Sequence, residues 1–566
     1  MADHETSRLL AHEDPRDSFD ADELRLLRQE EGKQIRRERK RMVLCLSLAI
    51  ILTSSAVAFT FFFAKKSLGR SRNVIMMVSD GFGPASETYA RSYYAFTHNL
   101  TEAYITPLDE ILVGASRTRS SDSLVTDSAA GATAFSCAMK SYNAAIGVDA
   151  NGTPCGTVLE AAKDLGMLTG LVVTSRVTHA TPAAFSAHVV HRDLEADIAV
   201  QQIGDYALER QVDLIMGGGR CFFLPNTTDG GCRTDGRNLI EESKRFGWNT
   251  VMLNRKDFDA HNMVNEDQEG EEEEEEDRRL VLPALGLFHS DHMNFEIDRD
   301  ATQEPSLVEM TKAALKALTD NAGANQGFFL LIEGSRIDMA AHNNDPAAHV
   351  REILEYHETV KEVRKFVAEH PDTLLISTSD HETGGFTLGV QNDPNTYPDY
   401  LWRPEVIQRA RVSTEILTRR LTQFHSQSLQ KDTKKSREFV KTEILKKGLG
   451  ITDATEAEIA LLANPDTSPL EVLPFLGHAI SRRANLGWTT QGHTGVDVNL
   501  YADGDNDGRK DLYGNHENTD IGVAMSKYLN VDLDYITRKD ASKWFKPKSG
   551  FQSAWFGRSQ HEESGN

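Results

Sequence analysis

The segment Val74-Ile-Met-Met-Val-Ser-Asp80-Gly81 is a continuous apolar run that ends in a carboxylate and a glycine. Short apolar runs of the same kind recur along the chain with helical patterns between them, at residues 170–173, 214–216, 328–332 and 374–376. Strands that are apolar throughout are typical of a parallel sheet buried on both faces. We therefore predict an α/β fold with a mostly parallel central sheet and helices on both faces.

One long helix can be placed between the last two of these runs. Asp345 stands where a helix cap is expected, and Pro346 stands at the first helical position. Apolar residues then recur at helical spacing and form one inward face: Val350, Ile353, Leu354, Val360, Val363 and Val367. An amphipathic helix of this kind is expected to pack against the core.

Carboxylates follow three of the predicted strands at the point where each strand ends. They are Asp80, Glu333 and Asp380. Open α/β sheets bind ligands beyond the carboxyl ends of their strands. A single Asp at such a place is usually a turn former or a helix cap. Three negative charges gathered at one rim are costly unless cations neutralise them, so the set, with the histidines described next, indicates a metal site.

Histidines occur at spacings that suit the same site. His342 follows Asp338 by four residues, which is one helical face, while His381 is adjacent to Asp380 and His493 lies in a loop flanked by glycines. Taken singly, each histidine also fits a surface or hydrogen-bonded role. Mixed nitrogen and oxygen ligands favour zinc, and an all-oxygen set of carboxylates and a hydroxyl favours magnesium.

The stretch Val125-Thr-Asp-Ser128-Ala-Ala-Gly-Ala-Thr133 contains a candidate nucleophile, Ser128. The small residues after it suit a helix start, where unpaired N–H groups and the helix dipole favour an anion. The alternative is an ordinary Ser/Asp cap on an Ala-rich helix. No general base adjoins Ser128 in the sequence, so we expect metal coordination to activate its hydroxyl.

Composition and the N-terminal region bound the class of protein. The chain has 566 residues, 39% of them hydrophobic, and a formal net charge of −23, which argues against binding of nucleic acid. Residues 1–41 are polar, whereas residues 42–64 carry no charge and as a helix would extend roughly 35 Å, enough to cross a bilayer. A cleaved signal peptide is the alternative, but the run is too long and too far from the N-terminus.

We therefore predict a cytoplasmic tail (1–41), a single transmembrane helix (42–64) and a stem (65–72), followed by a folded part outside the cytosol. N-glycosylation sequons at Asn99, Asn151 and Asn226 agree with this orientation. Four cysteines follow the apolar run, and they allow three connectivities. By proximity we pair Cys137 with Cys155 and Cys221 with Cys232. Four buried free thiols are the alternative.

Six motifs stand in a distinctive order along the chain. They are Asp80-Gly, Val-Thr-Asp-Ser128-Ala-Ala-Gly-Ala-Thr, His-Ala-Thr181-Pro with Arg192 eleven residues beyond the threonine, Glu333-Gly-Ser-Arg-Ile-Asp338 with His342, Ser-Asp380-His381-Glu-Thr, and Gly-His493-Thr-Gly. This order resembles that of the alkaline phosphatase family over nearly all of residues 73–546. With the N-terminal apolar run, the chain is most similar to the fungal vacuolar members.

The resemblance implies an alkaline phosphatase-like fold and a role for each motif residue. Ser128 would be phosphorylated transiently, and Arg192, oriented by Asp127, would clamp the phosphate. Two zinc ions and one magnesium ion would be the cofactors. The implied ligand sets are Asp338, His342 and His493 for one zinc; Asp80, Asp380 and His381 beside Ser128 for the second; and Asp80, Thr181 and Glu333 for the magnesium.

Recognition of the phosphate rather than the leaving group predicts broad specificity for small phosphomonoesters, with phosphoproteins or phosphopeptides as further candidates. Two alternatives remain at this point. One is a relative in the same metal-dependent superfamily that acts on phosphodiesters, phosphomutase substrates or sulfate esters. The other is an inactive membrane-anchored binding module, against which the presence of every proposed ligand weighs.

Two positions near the implied metals vary within the family pattern or depart from it. His179 stands two residues before Thr181, as in animal members, where well-studied bacterial members have Asp. Met339 follows Asp338, where many members carry His or Lys. A thioether is a poor hydrogen-bonding partner for a phosphate-bound water. We therefore expect weaker phosphate binding here and predict that Met339→His raises phosphate affinity.

Residues 385–487 lack a metal motif and by resemblance form an inserted, crown-like region near the interface of a homodimer. The alternative is a surface subdomain with no role in assembly. The acidic run 271–277 predicts a solvated loop, and residues 547–566 predict a flexible tail. Residues 503–508 resemble the start of a calcium-binding loop, but Gly514 stands at the twelfth position, where such a loop needs a carboxylate, so a turn is predicted there.

The N-terminal stretch Glu5-Thr-Ser-Arg-Leu9-Leu10 has the spacing of an acidic dileucine sorting signal. Short patterns of this kind arise often by chance. Together with the resemblance, it predicts recognition by an adaptor complex and delivery to the vacuole membrane, with a cytoplasmic N-terminus and a lumenal catalytic domain.

Overall fold

The structure is a computed structural model that describes residues 72–262, 280–323, 326–391, 393–427 and 433–544, with some residues between 25 and 44. The chain divides into two compact units, Met1–Arg70 and Ser71–Asn566. Among the described residues, no helix has both the length and the apolar character that crossing a bilayer requires. Apart from Met42 and Leu44, the predicted span 42–64 lies outside the described residues, as do the sorting signal 5–10, the acidic run 271–277 and the tail 547–566.

The described part of the second unit contains a ten-stranded sheet in the order β12-β2-β11-β8-β1-β7-β3-β4-β6-β5, and β9 pairs separately with β10. The strands are β1 (Asn73–Val78), β2 (Leu112–Arg117), β3 (Leu168–Arg176), β4 (Leu214–Gly218), β5 (Thr250–Met252), β6 (Ala284–Leu287), β7 (Phe328–Glu333), β8 (Thr373–Thr378), β9 (Glu382–Thr383), β10 (His493–Thr494), β11 (Val498–Gly504) and β12 (Gly514–Glu517).

The predicted sheet is confirmed. All five predicted apolar runs are strands (β1, β3, β4, β7 and β8), and β1 pairs in parallel with β7 on one side and β8 on the other. Strand β11 differs from its neighbours, since it runs antiparallel to both β8 and β2. The sheet is therefore mostly parallel, as expected for strands that are apolar on both faces.

Helices surround the sheet. The α-helices of the described residues after 72 are Pro84–Thr97, Ser128–Cys137, Val158–Asp164, Ala180–Ser186, Glu195–Ile203, Leu239–Glu242, Arg255–Asn262, Leu307–Asn321, Arg336–His342, Pro346–Glu369, Pro404–Gln408, Thr414–Gln427, Thr433–Phe439, Glu456–Ala463, Pro469–Ala484, Asn506–Arg509, Asn518–Leu529 and Leu533–Trp544. A π-helix spans Val440–Gly448, and 3₁₀ turns span Asp109–Ile111, Arg220–Phe223, Ser243–Phe246 and Lys510–Leu512.

The predicted long helix is Pro346–Glu369. Its cap is Asp345, whose carboxylate accepts hydrogen bonds from the backbone N–H groups of Ala347 and Ala348. The predicted inward face is buried except at Leu354, which is partly buried and packs against the same core. The capping carboxylate and the proline at the first position together explain why the helix begins there.

Alternate residues of β1 face opposite sides of the sheet. Ile75 and Met77 belong to one hydrophobic cluster, and Val74, Met76 and Val78 belong to another. Because successive side chains of a strand point to opposite faces, one fully apolar strand supplies both cores. This accounts for the absence of polar alternation in the sequence of β1.

Both predicted disulfide pairings are confirmed. Cys137 is bonded to Cys155, and Cys221 is bonded to Cys232. The first bond ties the last residue of helix Ser128–Cys137 to a neighbouring loop. The structure therefore favours two disulfides over the alternative of four free thiols.

The predicted insertion 385–487 contains helices with a hydrophobic cluster of their own, which includes Leu417, Ile444, Leu449 and Leu476. Residues 412–424 and 439–449 both contribute apolar side chains to this cluster. The predicted turn at 503–508 is present: Asp505 caps the short helix Asn506–Arg509, and Gly504 has a positive φ of 89°.

Candidate functional site

The candidate site lies beyond the carboxyl ends of three adjacent strands. Val78 of β1 is in register with Glu333 of β7 and with Thr378 of β8. Asp80 and Asp380 follow two of these strand ends directly, and Glu333 is the last residue of the third. All three carboxylates are fully buried. The sheet therefore brings together the three strand-end carboxylates that the sequence predicted.

Two groups of side chains place candidate ligand atoms within 4.8 Å of one another. One group is Asp80, Asp380 and His381, and the other is Asp338, His381 and His493. His381 thus belongs to both groups, and its ring stacks on that of His493 with 3.5 Å between centroids. The first group matches one predicted ligand set in full.

The remaining predicted ligand, His342, lies beside the second group. Its Nε2 is 3.3 Å from Asp338 Oδ2 and 3.1 Å from His493 Nε2. Asp338 and His342 occupy one face of helix Arg336–His342, as their spacing predicted. The structure therefore gathers Asp338, His342 and His493, and it adds His381 to their surroundings.

Several oxygen atoms at this rim are buried and have no hydrogen-bond partner of good geometry within the described residues. They are both carboxylate oxygens of Asp80, Oδ2 of Asp380, Oε1 of Glu333 and the hydroxyl of Thr181. Unsatisfied buried acceptors cost free energy, and buried charges are normally paired or bind metal. The residues present therefore fit divalent cations, with an oxygen-only set (Asp80, Thr181, Glu333) and two sets that also contain imidazole.

The electrostatics of the rim support the same conclusion. Burial raises the pKa of Asp80 well above its ordinary value, and repulsion from Asp380 and Asp338 raises it further. Burial also raises the pKa of Glu333 to about 7 and that of Asp380 to about 6. Desolvation and like charges both disfavour the ionised forms. Cations at this rim would remove that penalty.

Ser128 is the first residue of helix Ser128–Cys137, and its hydroxyl lies 3.2 Å from Nε2 of His381. The cap of this helix is Asp127, whose Oδ1 accepts the N–H of Ala130 at 3.0 Å. A Cβ on Gly131 would lie 3.0 Å from Cβ of Asp380, so the helix packs closely against the segment that follows β8 and a side chain there would require Asp380 to shift. The stretch therefore provides both an Asp cap and a serine that faces the rim.

Arg192 is held by two neighbours. Its Nη1 donates to Oδ2 of Asp127 at 3.0 Å, and its Nη2 donates to Nε2 of His179 at 3.0 Å. A guanidinium only donates, so Nε2 of His179 is the acceptor and the imidazole is neutral. Burial, followed by the charge of Arg192, lowers the pKa of His179 well below its ordinary value. The remaining N–H groups of Arg192 can bind an anion beside Ser128.

Several groups that hold the proposed ligands in place were not predicted from the sequence. The hydroxyl of Thr383 donates to Oδ1 of Asp338 at 2.6 Å. The Nδ1 of His493 donates to the carbonyl of Thr126 at 2.8 Å, and Nδ1 of His342 donates to the carbonyl of Gln491. Partners of this kind fix the orientation of a metal-binding imidazole. Thr383 stands in the Asp380-His-Glu-Thr motif, which is the signal that could have found it.

Met339 is partly buried and packs against a small cluster that contains Phe295, Ala340 and Ala348. Its sulfur accepts a hydrogen bond from Nη1 of Arg336 at 3.2 Å. The side chain therefore has an apolar environment and a cationic neighbour. The expected effect of Met339→His on phosphate affinity stays a prediction.

Comparison with known proteins gives a consistent result. The alkaline phosphatase family model matches residues 71–531. The repressible alkaline phosphatase of Saccharomyces cerevisiae is 46% identical over 512 residues, which cover 88% of this chain and 88% of that protein. The alkaline phosphatase of Schizosaccharomyces pombe is 44% identical over 497 residues, covering 87% of this chain and 88% of that protein.

Solved structures with the same fold include two bacterial enzymes. The cold-active alkaline phosphatase of Shewanella sp. has a TM-score of 0.65 and 31% sequence identity, covering 81% of this chain and 99% of that one. The Thermus thermophilus alkaline phosphatase has a TM-score of 0.65 and 28% identity, covering 82% of this chain and 93% of that one. The residues matched by the family model, 71–531, contain the whole candidate site.

Proposed function

Because this chain belongs to the alkaline phosphatase family and is a phosphomonoesterase, we propose that it hydrolyses a broad range of phosphomonoesters by transient phosphorylation of Ser128. The proposal includes two zinc ions and one magnesium ion as cofactors. The observation that carries it is the position of Ser128. Its hydroxyl lies 3.2 Å from Nε2 of His381, at a rim where oxygens of Asp80, Asp380 and Glu333 are buried with no hydrogen-bond partner of good geometry among the described residues.

The residues proposed to hold the three ions are among the side chains that lie close together at the rim. When bound, such ions supply the positive charge that activates an attacking oxygen and stabilises a leaving oxygen. The proposed sets are Asp338, His342 and His493 for one zinc; Asp80, Asp380 and His381, beside Ser128, for the second; and Asp80, Thr181 and Glu333 for the magnesium.

Arg192 would bind and orient the substrate phosphate. Asp127 and His179 each use one of its N–H groups, and the planar fork of the others matches two phosphate oxygens. Because both neighbours are themselves partly or fully buried, the guanidinium is held before substrate arrives. Pre-organisation of this kind lowers the entropy cost of reaching the reactive geometry.

The reaction would then proceed by two displacements at phosphorus. In the first, the Ser128 oxygen forms a bond to phosphorus as the bond to the alcohol oxygen breaks, and the alcohol leaves. In the second, the oxygen of a water forms a bond to phosphorus as the Ser128–phosphorus ester bond breaks, which releases phosphate and restores the hydroxyl. Since Arg192 would bind the phosphate and not the alcohol, the alcohol should contribute little to recognition, and we expect broad specificity.

The test is hydrolysis of a chromogenic phosphomonoester by the full-length protein and by two serine variants. Ser128→Ala should lower kcat by at least about a thousandfold, because a covalent nucleophile is lost. Ser136→Ala is the matched control, since Ser136 lies in the same helix and donates to the carbonyl of Thr133. A chelator should abolish the activity of the wild type and of Ser136→Ala. Full activity of Ser128→Ala would contradict the proposal.

We further propose the cellular setting that the sequence predicts: a single membrane span at residues 42–64, a lumenal catalytic part in the vacuole membrane, and a homodimer formed near residues 385–487. Exposure of Asn99, Asn151 and Asn226 supports glycosylation of this part. If Leu9→Ala and Leu10→Ala together left the location unchanged, the adaptor signal would be wrong. Sedimentation of the protein as a monomer would contradict the dimer.

A further inference from the structure

The helical insertion contacts the short helix Arg336–His342, which carries two of the proposed metal ligands. The contact is made by Glu415, in the first turn of helix Thr414–Gln427. Its Oε2 accepts a hydrogen bond from Nη2 of Arg336 at 2.9 Å and closes an ion pair. Arg336 is the first residue of its helix, two positions before Asp338. The insertion therefore contacts the helix two residues from a proposed ligand.

Arg336 is buried, so its positive charge requires a negatively charged partner. Arg336 is only 4% exposed. Its guanidinium lies over the ring of Phe295, 3.7 Å from the centroid, and Nη1 points at the sulfur of Met339. Neither group carries a negative charge. Within the described residues, Glu415 is the carboxylate that forms an ion pair with Arg336. The carboxyl of Glu352 also interacts electrostatically with Arg336, but burial raises the pKa of Glu352 to about 8 and so disfavours its charged form. A buried charge that loses its ion-pair partner is strongly destabilising.

The segment that carries Glu415 is itself fixed to the catalytic part of the unit. The backbone N–H of Ser413 donates to Oδ1 of Asp298 at 3.0 Å. The backbone N–H of Thr414 donates to Oδ2 of Asp345 at 2.7 Å. Asp345 also caps helix Pro346–Glu369, which follows the ligand-bearing helix directly. Residues 413 and 414 of the insertion are thus bonded to Asp298 and to Asp345, the cap of the helix that follows the ligand-bearing helix.

The far end of the insertion supports the other end of the same helix. A Cβ on Gly477, in helix Pro469–Ala484, would lie 2.4 Å from the carbonyl oxygen of Asn344. The Asn344 side chain donates to the carbonyl of Thr490 at 2.9 Å, and Nδ1 of His342 donates to the carbonyl of Gln491. The ligand-bearing helix is therefore held between residues 413–415 of the insertion on one side and helix Pro469–Ala484 with residues 490–491 on the other.

We propose that Glu415 is a positioning residue for the metal site. Through Arg336 it fixes the helix that presents Asp338 and His342, and the insertion thereby determines how tightly the site retains zinc. This inference rests on the proposed function, since it concerns the same zinc ligands. It assigns to the insertion a role in the chemistry of its own subunit, separate from any role in assembly.

The experiment measures release of zinc from the full-length, zinc-loaded protein into excess chelator, followed with a zinc-sensitive dye. Glu415→Ala should release zinc about tenfold faster than the wild type, within the effect expected for a partner beyond the direct ligands. Glu415→Gln keeps an oxygen acceptor for Arg336 and should lie between them. Glu443→Ala is the matched control, because Glu443 is in the same insertion and pairs with Lys447 at 2.8 Å.

Release from Glu415→Ala at the rate of the wild type or of the control would overturn the inference. If Glu415→Ala does not fold, the Gln variant decides: faster release supports the inference and an unchanged rate overturns it. Thermal unfolding of the metal-free forms separates loss of zinc from loss of fold. A wild type that holds no zinc would overturn the proposed function as well, whereas unchanged variants of a zinc-loaded wild type overturn only the role of Glu415.

Discussion

Replacement of Thr383 by Val tests whether one buried hydroxyl couples the two groups of proposed ligands. The hydroxyl donates to Oδ1 of Asp338 at 2.6 Å and lies 3.2 Å from Nδ1 of His381. It has one proton to donate, so its oxygen accepts from Nδ1–H of His381. This directs Nε2 of His381 towards Ser128, whose hydroxyl is 3.2 Å away.

The size of the effect can be worked from these contacts. Val has the shape of Thr and favours a strand, so the backbone pairing of Thr383 with His493 in β9 and β10 should persist. The substitution removes one hydrogen bond to a carboxylate, about 1.5–3 kcal/mol, and leaves a buried N–H of His381 without a partner. Loss of partners beyond the direct ligands weakens metal binding by about 10–100-fold, which corresponds to roughly 1.4–2.7 kcal/mol.

The assay is a competition titration of zinc between the protein and a chromogenic chelator. We expect the zinc Kd of Thr383→Val to rise by about 10–100-fold, while kcat at saturating zinc changes less. Thr383→Ser is the matched control, because it retains the hydroxyl and should bind zinc nearly as tightly as the wild type. If the Val variant bound zinc as tightly as the wild type, or if the Ser variant were equally impaired, the hydroxyl would not have the role assigned to it.

Three further predictions concern other parts of the molecule. Burial raises the pKa of Glu352 from 4.5 to about 8, so ionisation of Glu352 destabilises the folded state increasingly as pH rises from about 5 to 8. Glu352→Gln should therefore become progressively more stable than the wild type over this range. If urea unfolding gave a difference in unfolding free energy that did not change with pH, the prediction would be wrong. Gly131→Ala should lower kcat/KM by about tenfold because its Cβ would press on Asp380, and unchanged steady-state kinetics would refute the close packing. Met339→His should lower the inhibition constant for phosphate, because an imidazole can hydrogen-bond a phosphate-bound water better than a thioether can. Unchanged product inhibition would show this prediction to be wrong.

The parallel core of the fold could be predicted from the sequence because its signal is local. Runs such as 74–78 and 328–332 are apolar throughout and lie between helical patterns, and the structure confirms them as β1 and β7. The antiparallel strand β11 was not predicted. It pairs with β8, but more than a hundred residues, including the insertion, separate the two strands in the sequence. A pairing over such a distance leaves no local pattern in the sequence of β11.

The candidate site was predictable to the extent that it follows from strand ends. Asp80, Glu333 and Asp380 meet because adjacent parallel strands end at one rim. The carbonyl partners of the imidazoles, at Thr126 and Gln491, could not be predicted, since every residue has a carbonyl and only the tertiary structure selects these two. The pairing of Glu415 with Arg336 was missed for the same reason.

The central claim is that Ser128 accepts the phosphoryl group during turnover. The most direct measurement is acid quenching of the working wild-type protein with a phosphomonoester, followed by mass spectrometry of the peptide that contains residues 125–133. Phosphate is expected on Ser128 in the quenched sample and not in the absence of substrate. Sustained hydrolysis with no phosphate on Ser128, or with phosphate on another residue, would show that Ser128 is not the phosphoryl acceptor.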